Sequence, residues 1–262
     1  ALVPDAEERR RLFESVAYEC QMSAQPEEAV ELYLAADRPV AALALINGQM
    51  SAAIAAAVDE AGAGAAGAAG TGAATERLER LARSGRAAAE RLTGLRGGGG
   101  AAAGVAAAPS PMGFGAAAAG GGAGGFSSAA ALASDPAARR ELEAFQQLGV
   151  VRELLLAARR GRHDQALQRL SELPFVPTER SRVDLCVRMS AQLHPALAER
   201  LQDIIAAAAD SIAARRQAVG RDAAVGLATE LAVITQYANS LPGARLPQAV
   251  YRKLAEAQVF VA

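Results

Sequence analysis

Apolar residues recur three and four positions apart along most of this chain, and nowhere do they alternate with polar ones over the length of a strand. The pattern therefore predicts helices throughout. Asp5 stands where a first helix would begin, with Glu8 three residues on as a capping-box partner. Leu12, Phe13, Val16 and Cys20 form its apolar face. Pro26 falls in the first turn of a second helix, which buries Ala29, Val30, Leu32 and Tyr33. Asp37 and Pro39 open a third that carries Val40, Leu43, Ala44 and Ile46, and Asn47-Gly48 offers it a left-handed stop. A weaker fourth helix runs through Ile54 to Val58. Short helices joined by tight turns predict antiparallel hairpins, and "PEEAVELYLAADRPVAALALI" reads as one unit of a helical repeat.

The periodicity then lapses and returns. Residues 62–74 are almost pure Ala and Gly, too poor in side chains to build a core. Thr75 opens an amphipathic helix with Leu78, Leu81, Ala88, Leu92 and Leu95 on one side. Residues 96–134 collapse again into Gly, Ala, Ser and Pro, the composition of a disordered insertion. Order resumes at Ser134-Asp135-Pro136, a cap followed by proline at the first helical position. Leu142 and Phe145 mark one stripe, and Val151, Leu154 and Leu155 the next. After Gly161 a short helix lines up Ala166, Leu167, Leu170 and Leu173 before Pro174-Phe175-Val176-Pro177 stops it. A long run from Thr178 carries Val183, Val187, Leu197, Leu201, Ile204, Ala208 and Ile212, with Pro195 set to kink or split it. Leu227 to Leu241 make another helix, stopped by Pro242-Gly243, and Leu246 to Val261 the last.

Composition narrows the function classes. The chain has 262 residues, a net charge of −1, 4% aromatics and no Trp. The balance of charge argues against a general nucleic-acid or anionic-lipid binder. Lys253 is the sole lysine, and the arginine clusters Arg9–Arg11, Arg159–Arg162 and Arg215-Arg216 sit among acids or on polar faces, as solvated surface would. Cys20 and Cys186 fall on apolar stripes, so both are expected to be reduced and buried. No signal-peptide pattern and no span of about 20 strongly apolar residues is evident, so the expectation is a soluble intracellular protein. The start at Ala1, almost directly in a helix, reads as a piece of a longer chain.

Candidate chemistry is sparse. Gly62, Gly64 and Gly67 satisfy G-x-G-x-x-G, as does Gly120 to Gly125, but no strand delivers either to a helix N-terminus. Lys253 follows no glycine loop, so there is no phosphate-binding lysine motif. His163 and His194 lie apart, with no Cys or acid at ligand spacing; each reads as a turn residue, His163 in a first turn and His194 before Pro195. No nucleophile elbow is present. No catalytic, cofactor-binding or metal residue is assigned, no cofactor is expected, and an enzyme is the weakest reading. Phe114-Gly115 in the insertion is the dipeptide that transport receptors bind at nuclear pores, though one pair in a Gly-rich tract arises readily by chance.

The ordered segments together resemble the C-terminal part of the nucleoporin interacting component family, large helical scaffold proteins of the nuclear pore inner ring. The resemblance rests on "EAVELYLAADRPVAALALINGQMSAAI", "ATERLERLARSGRAAAERL", "LLLAARRGRHDQALQRLSELPFVPTERSRVDLCVRM" and "ITQYANSLPGARLPQAVYRKLAEAQVFV". It departs at the Ala/Gly insertion and at Pro195. With the all-α pattern it implies an α-solenoid of stacked antiparallel hairpins, and together with the composition the chain divides as 1–61 (end of a solenoid), 62–74 (linker), 75–95 (amphipathic helix), 96–134 (disordered insertion) and 135–262 (C-terminal solenoid or bundle). It also implies a structural role at the nuclear envelope, with other inner-ring and linker nucleoporins as partners. No small-molecule substrate, no direct nucleic acid and at most indirect membrane contact would be involved. The alternative is a helical-repeat adaptor, such as a vesicle-coat-like module working outside the pore.

Overall fold

The computed structural model describes residues 5–63, 72–94, 135–219, 221–241 and 246–259, and among these the fold is all-helical with no strand. The whole insertion of residues 96–134, with Phe114-Gly115, lies outside the described residues, as do residues 64–71 of the linker, Leu95 and the stop at Pro242-Gly243. The helices are α1 (Ala6–Met22), α2 (Pro26–Ala35), α3 (Pro39–Ala63), α4 (Ala73–Thr93), α5 (Pro136–Arg159), α6 (His163–Ser171), α7 (Val183–Ser190), α8 (Pro195–Ala198), α9 (Leu201–Ala218), α10 (Arg221–Ser240) and α11 (Gln248–Val259).

The helix ends follow from named residues. Asp135 caps α5 through its side chain, accepting from the amides of Ala137 and Ala138, with Pro136 in the first turn. Asp5 precedes α1 but makes no side-chain cap, so the expected capping box with Glu8 is absent. Three helices end in one and the same device. Ala24, Asp37 and Gly161 adopt φ of 58°, 59° and 70°. The following amides, those of Gln25, Arg38 and Arg162, each reach back 2.9 Å to the carbonyls of Cys20, Tyr33 and Ala157. These are Schellman closures, which satisfy the last carbonyls of a helix and turn the chain within three residues. α1 thereby packs on α2, α2 on α3 and α5 on α6.

The expected stop at Asn47-Gly48 does not occur: α3 runs on for 25 residues and absorbs the fourth helix. The reason is visible in the packing, because Ile46, Met50, Ala53, Ile54 and Ala57 continue one buried stripe through the Asn-Gly pair. Tertiary burial here outweighs a local stop signal. The run from Thr178 divides at Pro195 and again before it: a 3-10 turn at Arg180–Arg182 leads into α7, α8 starts with Pro195, and α9 follows. Thr178 itself is not helical.

α3, α5 and α9 form the spine. α3 touches α2, α4, α5 and α8; α5 touches α3, α4, α6, α8 and α9; α9 touches α5, α6, α10 and α11. One apolar core runs continuously from Val30 to Ala257, and a smaller one joins Ala17, Ala29, Tyr33 and Ala42. The α6 stripe leans on α5 and on α9. Leu170, Leu173 and Phe175 are all buried there; burying one such side chain contributes about 1.5–3 kcal/mol.

Two expectations need correction. From Pro39 to Ala61, α3 is long and apolar enough to cross a membrane by length and hydropathy alone, contrary to the absence of any such stretch. Half of that window is buried in the fold, and its wholly buried Ser51 and Asn47 bond to acids on other segments. In this fold α3 is a core helix. The second concerns α1, whose packed side centres on Ala17, with Phe13 and Cys20 half-buried, while Leu12 and Val16 stay exposed. Ala44 of α3 is exposed as well.

Candidate functional site

Polar side chains meet inside this apolar assembly at one junction, where α3, α5 and the start of α8 converge. Asn47 is wholly buried and donates through Nδ2 to the Glu141 carbonyl at 3.0 Å and to its Oε2 at 2.8 Å. His194 caps α8, its Nδ1 accepting from the Ala196 amide at 3.3 Å. That bond places the ring proton on Nε2, which faces Glu141 Oε2 at 3.2 Å. Nearby, Ser51 Oγ donates to Glu199 Oε2 at 2.9 Å. Asn47 ties α3 to α5, His194 ties the α8 segment to α5 and Ser51 ties α3 to the α8 segment, so the cluster fixes how three elements meet.

Chemically the junction does not assemble a nucleophile and base. His194 has an acid partner, but the serine near it gives its proton to Glu199. The histidine that does approach a serine is the other one: His163 Nδ1 lies 3.4 Å from Ser211 Oγ, while Asp164 beside it pairs with Arg215 at 2.7 Å. Serine–histidine and histidine–acid contacts thus fall on different histidines, and no triad forms among the described residues. No group of three metal-ligating side chains occurs among them either. His163 is a first-turn residue, as expected, and His194 is more than a turn residue, being the cap and cross-link just described.

A cleft of about 350 Å³ opens between α6, α9, α10 and the loop at Pro177. Leu167, Leu170, Ile212, Ile234 and Pro177 supply its apolar lining, and the Asp164–Arg215 pair and Glu230 its polar border. A second, of about 240 Å³, lies where α3, α5, α9 and α11 approach, bounded by Arg159, Asp203, Asp210 and Lys253. Burial raises the Asp203 carboxyl above its ordinary range; Arg200, 2.9 Å away, opposes this and Asp59 adds to it. Lys253 pairs with Asp210 at 2.5 Å.

Of the clustered arginines, Arg10 pairs at the surface with Asp37 and Arg11 with Glu7, and Arg215 pairs with Asp164; Arg216 departs from the expected solvated surface, being half-buried and donating to the Ala257 carbonyl of α11 at 2.8 Å. Of the two thiols, neither is in a disulfide; Cys186 is buried and its pKa is raised by desolvation, whereas Cys20 is half-buried. Of the glycine-motif residues, Gly62 falls inside α3, and the others lie outside the described residues.

Sequence reasoning missed Asn47 and Glu141 as a buried pair. A signal existed for Asn47, since the apolar spacing from Ile46 to Ala57 passes through it unbroken. Glu141 carried none, because its partner is 94 positions away. Against known proteins, no family model matches the chain and no curated protein does.

Proposed function

We propose that this chain is part of the helical scaffold of the nuclear pore inner ring, built as a solenoid of stacked antiparallel hairpins. In this reading it supports pore assembly and the transport of protein and mRNA through contacts with other inner-ring and linker nucleoporins. The family resemblance of the four ordered segments suggests the role. The observation that carries it is the way the chain is assembled: three helices close with the same three-residue turn, and one continuous apolar core passes from α3 to α5 to α9. Repeat proteins are built this way, each unit burying its apolar side on its neighbours.

The cleft between α6, α9 and α10 favours a second reading, a helical-repeat adaptor that takes a partner peptide there. The two separate in cells. A tagged copy of the scaffold sits at the nuclear rim, recovers slowly after photobleaching and co-purifies with inner-ring nucleoporins. Rapid recovery with a diffuse cytoplasmic signal overturns the scaffold and promotes the adaptor.

A further inference from the structure

Four of the large apolar side chains left in solvent lie on a single helix. Leu12, Val16, Tyr18 and Met22 of α1 are 59%, 37%, 60% and 71% exposed. The helical register sets them in two ridges, Leu12 with Val16 and Tyr18 with Met22, and Glu8, Ser15 and Glu19 fall between the ridges. Such a run of exposed apolar surface on one element marks an interaction face. Between the ridges the charge is acidic, Glu8 and Glu19 both being unpaired among the described residues, while Arg11, which the register sets on the Tyr18–Met22 ridge, is taken up by Glu7 at 2.8 Å. From Asp5 to Ala36 the chain holds eight Asp and Glu against three Arg, a local net charge of −5 in a protein of net −1. Asp5, Glu8, Glu19, Glu28 and Glu31 are exposed and form no ion pair among the described residues, against which stands the exposed Arg9.

We propose that the outer face of α1 docks a basic amphipathic helix of a partner protein, one whose apolar side chains fill the two ridges and whose Arg or Lys residues answer Glu8 and Glu19. Charge complementarity selects this occupant. An anionic membrane surface meets the same apolar ridges but is repelled by the acids. A second copy related by a two-fold axis sets one acidic face against another and gains little from the field. A helix laid along α1, with anchors at three- and four-residue spacing, meets both the ridges and the charge between them.

The face is tested with a synthetic probe rather than an unknown partner. A fluorescein-labelled 18-residue peptide carries Leu at helical spacing, Arg beside each Leu and Ala elsewhere; its twin has Glu in place of Arg. Titrated against the whole chain, the Arg peptide binds at least about tenfold tighter than the twin, and added salt narrows the gap. Glu8→Arg with Glu19→Arg reverses the preference, and Leu12→Asp with Met22→Asp abolishes binding of both peptides. All four side chains point into water, so thermal melts of the variants match the parent and serve as the folding control. Arg-peptide binding that either pair of substitutions leaves intact puts the site elsewhere and overturns the proposal, as does the absence of saturable binding. So does sedimentation showing that the chain covers this face with a second copy, to which Leu185, exposed beside Arg182 and Arg188, offers a basic apolar spot. The proposal deepens the scaffold reading, but the titration does not depend on where the protein resides. A failed titration removes the docking face alone, and failed co-purification removes the scaffold.

Discussion

Gly85→Ala sets two opposite effects of known size against each other. Gly85 is buried in the middle of α4, and a Cβ there would lie 2.9 Å from Cδ2 of Phe145 and nearer still to Cε2 and Cζ. In a helix interior, alanine in place of glycine is worth about 1 kcal/mol. Overpacking a formed contact costs about 1–3 kcal/mol. The ring of Phe145 is half-buried and packs against the main core, so it yields only by giving up part of that contact. The net expectation is a loss of about 1 kcal/mol. In a Phe145→Ala background the obstruction is gone, and the same substitution should stabilise by up to about 1 kcal/mol. The sign inverts, and a double-mutant cycle by urea denaturation should give a coupling of about 2 kcal/mol. Additivity within about 0.3 kcal/mol would refute the close packing of α4 on α5 at this point.

Three further outcomes follow from other parts of the fold. Ala24 sits at φ 58° in the turn after α1, so Ala24→Gly should raise stability by about 0.5–1 kcal/mol in thermal or chemical denaturation, and a loss would mean the turn relaxes elsewhere. Leu170→Ala should cost about 2–5 kcal/mol, toward the lower end because the side chain borders the α6–α9–α10 cleft; less than about 0.5 kcal/mol, far under that range, would deny its burial. The Asp203 carboxyl titrates above its ordinary 3.8 in the folded protein, chiefly through burial, so the fold favours the protonated form and loses stability as pH rises from near 3.8 through the raised value. Asp203→Asn lacks that loss, and its melting temperature relative to the parent should climb across this window; a difference that shrinks instead would show that the Arg200 pair dominates.

How far the sequence could be read depends on how local each interaction is. The Asp135-Pro136 start of α5 and the proline start of α8 were legible because a cap and a fixed φ act within three residues. Leu227, Leu231, Ile234, Ala238 and Leu241, spaced three and four apart, are all buried, because the helix has one clearly apolar side. Asn47-Gly48 failed as a stop for the opposite reason. A left-handed turn there would have broken the stripe that α4 and α5 cover, and the burial of Met50, Ile54 and Ala57 exceeds what a local turn could return. The polar junction was invisible, since Asn47 meets Glu141 and Ser51 meets Glu199 only after distant segments pack.

The misreading of α1 has a different origin, and it bears on function. Periodicity identifies an apolar side of a helix but does not say that anything lies against it. On α1 the apolar residues occupy more of the circumference than one partner helix can cover. α2 covers the Ala17 side, where Tyr33 and Ala29 close the smaller core. Leu12 and Val16, sent inward by their spacing, remain outside with Tyr18 and Met22. Folding this chain does not require those four side chains to be large, since small or polar residues would cost it nothing there and would improve solubility. Local pattern and tertiary packing agree along α9 and α10 and disagree along α1, and disagreement between levels concentrates where a surface has a use beyond the fold. If α1 has such a use, replacing all four with polar residues should leave the melting temperature of the chain unchanged while abolishing peptide binding. A fall in melting temperature of several degrees would instead assign them to the core.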